Sequence, residues 1–254
     1  MQLRHIIVAT DASEAGRQAV RTGLDLSSRS AARLTVMRVV AVKALPLMGA
    51  VGTCAGAAER EDGAAELERL RCWLAPELLA TGRGPHLEVA VAFGDPAAEI
   101  CRFAEARGAD LLILGRKHRS PAARLLLGDT ADRVLRRSRV PCLFVQPGTP
   151  PITQLLVAVD RSPQALRVFA AGRDFAAAAG AAIRVATVEE TSAREIVPDI
   201  LARTAACDPD VLGFGYDRSD PERSGKWRST ARRLAHAAPL SVLAIPLETE
   251  GARP

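Results

Sequence analysis

A repeated pattern constrains the fold of this chain more than any other feature. Leu3–Ser13 and Ile152–Ser162 are each an apolar strand that ends in Asp-x-Ser, whose side chains suit the start of a helix. The landmarks that follow keep the same spacing in both copies. Asp11 to Val39 and Asp160 to Val188 are each 28 positions. Two further intervals are 15 positions in each copy: Gly115 to Thr130 and Gly215 to Thr230, and Thr130 to Val145 and Thr230 to Ile245. This agreement indicates two copies of one structural unit.

The repeated unit is predicted to be α/β. Apolar strand patterns alternate with helical ones, and aromatic residues make up only 4% of the chain, so the core must consist mainly of Ala, Val, Leu and Ile. Such alternation predicts a doubly wound, Rossmann-like parallel sheet with right-handed crossovers. The elements predicted for the first copy are strands 3–10, 34–40, 86–93, 110–115 and 141–146 and helices 13–30, 58–80, 96–107 and 129–138.

The second copy is predicted to lack one helix and one strand. Asp11 lies 104 positions before Gly115, whereas Asp160 lies only 55 positions before Gly215. A single helix over about 191–206 then connects two strands directly. If the missing strand is the edge strand of the sheet, the remaining four can pair without a gap.

A Pro/Gly cluster separates the two copies. Residues 146–151 read Gln-Pro-Gly-Thr-Pro-Pro, which can continue neither a helix nor a central strand. We therefore expect one domain over 1–147 and a second, shortened domain over 152–254.

Composition excludes several classes of protein. No run of 18 or more apolar residues occurs and residues 1–10 do not resemble a signal peptide, so we expect a cytoplasmic protein that does not enter a membrane. The five cysteines include no CxxC pair, and the four histidines are dispersed, which suggests neither a disulfide framework nor a zinc site. The net charge of +5 is spread over helix faces, a pattern that does not favour nucleic acid as a partner.

The stretch from Ala109 to Val145 couples a buried strand, a loop bounded by glycines, a helix start and a second buried strand. A loop that leaves the carboxyl end of a parallel strand brings backbone N–H groups and a helix N-terminus to one place, which is suited to a phosphate. Several basic residues surround this loop and could offset the charge of a phosphate. They are Arg116, Lys117, His118, Arg119 and Arg124.

These residues resemble the universal stress protein family in its tandem, two-domain form. The resemblance is carried by the Asp-x-Ser after the first strand and by the segments Gly94–Gly115 and Arg124–Val145, and more weakly by the second copy. It implies two domains of the adenine nucleotide alpha-hydrolase-like type. It also implies that the final strands of the two halves, PCLFVQP and SVLAIP, pair edge to edge within the chain as a pseudo-dimer, with further association left open.

Nucleotide-binding members of the family carry the motif Gly-x2-Gly-x9-Gly-Ser/Thr, and the first copy keeps only part of it. Gly115 and Gly128 match, whereas His118 replaces the second Gly and Asp129 replaces the Ser/Thr. A carboxylate about 4 Å from a phosphate charge costs roughly 4 kcal/mol at an effective dielectric near 20, about a thousandfold in affinity. In the second copy, Gly215 and Ser229 fit the motif, but Arg218 and Arg228 replace both remaining glycines.

Each departure from the motif has two interpretations. Asp129 could recruit Mg²⁺ to a phosphate, or it could simply be the N-cap of the following helix. His118 could form a pH-sensitive contact with a ligand, or it could be an exposed loop histidine. Thr130, directly after Asp129, is a further candidate for ligand contact.

The resemblance also implies roles at the other end of the pocket. Asp11 and Val39 correspond to residues at the adenosine end, although Asp11 could instead cap the first helix and Val39 could belong to the core. The Gly-rich loop from Ala41 to Ala58 could be a lid, a partner surface or a connector, of which we favour the connector.

We expect a stress-response binding or interaction module rather than an enzyme. ATP or another adenine nucleotide, or a related small ligand, is expected in the first domain only. The alternatives are an ATP-binding, weakly hydrolytic member of the family and a scaffold without a small ligand.

Overall fold

The computed structural model describes residues 3–41, 55–81, 87–116, 128–189, 193–217 and 230–247. Within these ranges the chain forms nine strands and seven helices in strict alternation, apart from the direct step from the fifth strand to the sixth. No helix among the described residues is long and apolar enough to cross a membrane.

The first half contains five strands and four helices, close to the predicted bounds. They are β1 (His5–Ala9), α1 (Glu14–Ser30), β2 (Arg33–Val40), α2 (Ala55–Thr81), β3 (Leu87–Phe93), α3 (Pro96–Ala106), β4 (Leu111–Gly115), α4 (Asp129–Arg137) and β5 (Cys142–Val145).

The second half contains four strands and three helices, as predicted from its shorter length. They are β6 (Gln154–Val159), α5 (Ala165–Ala179), β7 (Ala182–Thr187), α6 (Ala193–Cys207), β8 (Val211–Asp217), α7 (230–237) and β9 (Ser241–Leu247). The missing elements are the counterparts of α2 and β3.

All nine strands belong to one sheet in the order β3-β2-β1-β4-β5-β9-β8-β6-β7. Each half is parallel throughout, and the second half repeats the first in mirror order without its edge strand, so the predicted loss of an edge is confirmed. The sheet is continuous, because the antiparallel pair β5–β9 joins the two halves. In this pair Leu143 lies opposite Leu243, its equivalent in the repeat.

Helices cover both faces of the sheet. One core lies under α1, α2 and α5, and it includes Leu24, Leu70 and Phe175. The other lies under α3, α4, α6 and α7, and it includes Ile100 and Leu234. This arrangement is the doubly wound α/β fold predicted from the sequence.

The helix α2 is held against α1 by a carboxylate that is nearly buried. Glu77 accepts hydrogen bonds from Arg21 at 2.7 Å and from Arg17 at 3.0 Å, and its side chain is 8% exposed. The hydrogen bond from Arg21 is the largest cause of the lowered pKa of Glu77. The guanidinium of Arg17 also lies over the ring of Trp73, which fixes the helix further.

The segment that connects the two halves forms hydrogen bonds with both of them. Thr149 donates from its hydroxyl to the carbonyl of Gln146 at 2.6 Å and lies 2.8 Å from the hydroxyl of Ser241 in β9. The amide of Gln18 in α1 donates to the carbonyl of Thr149. The predicted boundary therefore falls on the connection from β5 to β6, while the division into domains 1–147 and 152–254 stays a prediction.

Candidate ligand-binding site

A cavity of about 390 Å³ lies at the carboxyl ends of β1 and β4, where a doubly wound sheet forms its ligand crevice. Cavities of a few hundred Å³ are typical of small-molecule sites. Its described lining combines the ends of β1 and β4 with parts of α1, β2 and α3 and with the first turn of α4. The lining residues are Ala9, Thr10, Asp11, Ser13, Gly16, Val39, Pro96, Ile100, Leu114, Gly115, Gly128, Asp129, Thr130 and Ala131.

The turn after β1 presents Asp11 to the cavity. Ala12 adopts a left-handed conformation with φ of 60°, which is rare for a residue with a side chain. Three hydrogen bonds hold the turn: Thr10 Oγ1 accepts from Ala12 N–H, Asp11 Oδ1 accepts from Ser13 N–H, and Ser13 Oγ accepts from Gly16 N–H. The N-cap of α1 is therefore Ser13, and the interpretation of Asp11 as the cap is wrong.

The first turn of α4 lines the cavity. The N-cap is Gly128, which makes no side-chain capping bond, and Asp129 is the first helical residue. The interpretation of Asp129 as the N-cap is therefore wrong. The first N–H groups of any helix lack an intrahelical acceptor, and here Gly128, Asp129, Thr130 and Ala131 all line the cavity. The carboxylate of Asp129 is favourable at this positive end of the helix and competes there with any anionic ligand.

Two glycines of the predicted motif serve different physical purposes. A Cβ on Gly115 would lie 2.2 Å from the carbonyl oxygen of Ala15, so this glycine is required for the packing of α1 on β4. Among the described residues, a Cβ on Gly128 would meet nothing within 4 Å, and its φ of −63° is open to any residue. Neither packing nor backbone conformation requires glycine at 128, and its missing side chain leaves room at the cavity.

Arg116 does not face the cavity, which corrects the sequence-based suggestion that it could offset a phosphate. Its side chain is fully buried, and its Nη1 donates to the carbonyls of Ala238 at 3.1 Å and Leu240 at 2.7 Å, both in the second half. Burial lowers the pKa of Arg116 to about 10, so the guanidinium keeps its charge at neutral pH. None of the described residues that line the cavity is Lys, Arg or His.

An ion pair on the surface positions α4 against α3 beside the cavity. Asp95 caps α3 by accepting from Ala98 N–H at 3.0 Å, and it also pairs with Arg133 of α4 at 2.8 Å. The hydrogen bond from Ala98 and then that from Arg133 hold the pKa of Asp95 below its ordinary value. Asp95 therefore stays ionised near neutral pH and links the cap of α3 to α4.

The structure brings six of the seven predicted site residues to this one cavity. Asp11, Val39, Gly115, Gly128, Asp129 and Thr130 all line it, while His118 lies outside the described residues. Lys117, Arg119, Arg124, Arg218, Arg228, Ser229 and most of the loop from Ala41 to Ala58 also lie outside them.

Sequence reasoning missed the contributions of Thr10 and α3 to the site. Pro96 and Ile100 reach the cavity because α3 begins directly after β3. The Asp-Pro pair at 95–96, which is typical of a helix start, was the available signal. Among the residues described here, no group of three or more His, Cys, Asp or Glu side chains could hold a metal ion.

The sheet order and the crevice at its carboxyl edge define a doubly wound α/β protein with a small-molecule-type cavity. The chain belongs to the universal stress protein family, because the family model described as "Universal stress protein family" matches residues 2–146.

Two comparisons illustrate the relationship. A universal stress protein from Methanocaldococcus jannaschii is 27% identical over 145 residues, which are 56% of this chain and 82% of that protein. Another, from Bacillus subtilis, is 25% identical over 144 residues, which are 56% of this chain and 97% of that protein.

Solved structures share the fold over nearly the whole chain. A universal stress protein from Archaeoglobus fulgidus matches with a TM-score of 0.73 and 18% identity, covering 97% of this chain and 99% of that one. A structure titled as a putative universal stress protein from Pseudomonas aeruginosa matches with a TM-score of 0.64 and 16% identity, covering 96% and 93% of the two chains. The fold similarity therefore extends to the second half as well.

Proposed function

We propose that this chain is a tandem universal stress protein of the cytoplasm that binds an adenine-type small ligand in its first half and acts as a stress-response binding or interaction module. The observation that carries the proposal is the cavity bounded by Asp11, Val39, Gly115 and Gly128. Its described lining combines apolar residues such as Val39 and Leu114 with polar ones such as Asp11 and Thr130, as a ligand with a flat ring and a polar tail requires.

The adenosine end of the proposed ligand fits the end of the cavity near β1 and β2. Val39 offers a half-buried apolar surface, and Asp11 and Ser13 offer oxygens to hydroxyl or amino groups. These are the positions that match the adenosine end in nucleotide-binding members of the family. A nucleoside ring system would also contact Ile100 and Leu114.

The part of the cavity beside the N-terminus of α4 is unfavourable for a phosphate. The carboxylate of Asp129 lies at the N-terminus of α4, and the side chain of Arg116 donates its hydrogen bonds to the second half. Asp11 and Asp129 are the titratable side chains among the described lining residues, and both are acids. These features support a binding role rather than catalysis.

One observation favours the alternative, an ATP-binding and weakly hydrolytic member. The N-terminus of α4 has no side-chain cap, and Gly128 leaves space beside it. Backbone N–H groups at such a helix start bind phosphate readily when no negative charge intervenes. The charge at residue 129 therefore decides between the two functions.

Isothermal titration of the full chain with adenosine and with ATP plus Mg²⁺ tests the proposal. Adenosine is expected to bind and ATP to bind more weakly. Both are expected to be lost in Gly128→Arg, because residue 128 lines the cavity and a long side chain there would take up ligand space. Tight binding of ATP with Mg²⁺ would favour the alternative. A protein whose melting temperature neither adenosine nor ATP raises would be the scaffold without a ligand.

Asp129→Ser is expected to raise the affinity for ATP by up to about a thousandfold, because it removes a negative charge from the N-terminus of α4, and a phosphate bound about 4 Å from that charge would be repelled by roughly 4 kcal/mol. The affinity for adenosine should stay the same, since the change lies at the other end of the cavity. Titration of both ligands measures the effect. Asp199→Ser on α6, exposed and in the second half, is the matched control for the charge change. Equal affinities for ATP in wild type and Asp129→Ser would contradict this reason.

A further inference from the structure

The two halves meet through a pairing face that consists of α4 and β5 on one side and α7 and β9 on the other. In this region, equivalent residues of the two copies differ by 100 in number, as Gly115 and Gly215 show. Leu143 lies opposite Leu243, while Cys142 lies opposite Ala244 and Phe144 opposite Val242. The pairing is therefore approximately twofold symmetric about the Leu143–Leu243 pair.

The charges on the pairing face break that symmetry. Asp132 of α4 is buried, and its carboxylate lies 2.8 Å from Nε of Arg232, 3.0 Å from Nη2 of Arg136 and 3.3 Å from Nε2 of His236. Asp132 and Arg232 are equivalent positions, and so are Arg136 and His236. The acid exists in one copy only, and a base takes its place in the other.

A second pair of equivalent residues shows the same asymmetry. Arg116 reaches across to the carbonyls of Ala238 and Leu240, just past the C-terminus of α7. Its counterpart Tyr216 reaches back, with its hydroxyl 3.4 Å from the carbonyl of Ser138, just past the C-terminus of α4. The two contacts are related by the pseudo-twofold axis, yet one uses a cation and the other a neutral phenol.

We infer that these four residues, Asp132, Arg116, Arg232 and Tyr216, make the pairing face of the first half specific for the second half of a chain and against a second first half. Two second halves would bring two Arg232 and two His236 side chains together without the carboxylate of Asp132. Two first halves would bury a second Arg116 guanidinium at the place of Tyr216. Opposite charges on a contact surface favour the correct partner, and like charges reject the wrong one.

The test reverses these charges in the full chain. Arg232→Asp gives the second half the charge that the first half carries and so imitates the pairing of two first halves. Asp132→Arg combined with Arg232→Asp exchanges the two charges and keeps the attraction. Arg233→Asp, an exposed neighbour on α7, is the control for the same change in net charge.

Urea unfolding measures the equilibrium constant of folding for each variant. Arg232→Asp is expected to lower it at least about tenfold below Arg233→Asp, and the double variant to recover most of that loss. Equal stability of Arg232→Asp and Arg233→Asp would overturn the inference, and so would a double variant no better than Arg232→Asp. If Arg232→Asp does not fold, a folded double variant supports the inference and an unfolded one overturns it.

A second, independent test of the inference uses variants of Tyr216. Tyr216→Arg places a second cation on the face and is expected to lower the equilibrium constant of folding at least about tenfold below Tyr216→Phe, which removes only the hydroxyl. If the two variants are equally stable, position 216 does not select the partner.

Discussion

Gly115→Ala is expected to destabilise the protein by about 3 kcal/mol or more, the range of severe overpacking in a core. The added Cβ would lie 2.2 Å from the carbonyl oxygen of Ala15 and 2.3 Å from its carbonyl carbon. Both are backbone atoms of α1, so the clash cannot be relieved by a rotamer change and must displace the helix. Urea unfolding of both proteins, followed by circular dichroism, measures the loss.

Gly128→Ala is the matched control, because it adds the same methyl group at the second motif glycine that lines the cavity. No atom of the described part of the chain lies within 4 Å of its Cβ position. We expect a change below about 1 kcal/mol, since alanine is a poorer N-cap than glycine but loses less backbone entropy on folding. A similar large loss in both variants would show that the contact with Ala15 is not the cause.

Arg116→Ala is expected to cost about 3 kcal/mol, because it leaves a cavity and two buried carbonyls without their donor. The side chain is fully buried between the halves, and its donor bonds run to Ala238 and Leu240. Urea unfolding measures the effect, with Arg139→Ala, an exposed arginine after α4, as the control.

Arg116→Met separates the two causes of that loss. Methionine fills most of the same space and removes the buried charge, whose desolvation lowers the pKa of Arg116 to about 10. Because the charged form is disfavoured by burial at every pH below that value, its removal offsets part of the lost hydrogen bonding. We expect Arg116→Met to lose about 1 kcal/mol. A loss as large as that of alanine would show that the hydrogen bonds, rather than the filled volume, dominate.

The fold could be predicted from the sequence because its strongest signals are periodic. Equal intervals between landmarks such as Asp11 and Val39 depend on the number of residues in each helix and strand, which a shared fold preserves. The absence of one helix and one strand followed from the length of the second copy, and the edge position of that strand followed from the need of the remaining four to pair without a gap. The joining of both halves into one sheet depends on which edges meet, and only the resemblance to the family suggested that β5 and β9 do.

The convergence of most predicted residues on one cavity follows from the sequence, while their role in binding a ligand stays a prediction. Asp11, Gly115 and Gly128 converge because they end parallel strands or begin a helix at one edge of the sheet. Arg116 was misassigned, since its position beside Gly115 does not reveal which way its side chain points. Asp129 was misassigned by one residue, because both Gly and Asp are common N-caps.

The role of Asp132 was missed although a signal existed. The interval of 100 residues pairs it with Arg232, and an acid opposite a base at equivalent positions suggests contact across a symmetry axis. That interpretation requires the sheet order, which places the equivalent helices side by side. The sequence shows that Asp132 and Arg232 are equivalent positions, and the sheet order shows that the two positions are in contact.

Because both halves lie in one polypeptide, a substitution in one half is not repeated in the other. In a homodimer every substitution appears twice, once on each side of the axis, so an acid can never face a base at its own position. Here each copy has its own codons, and in the described part of the chain the second half has no counterparts of α2 and β3. Such a protein can evolve ligand binding in one half and a structural role in the other, which a symmetric homodimer cannot do.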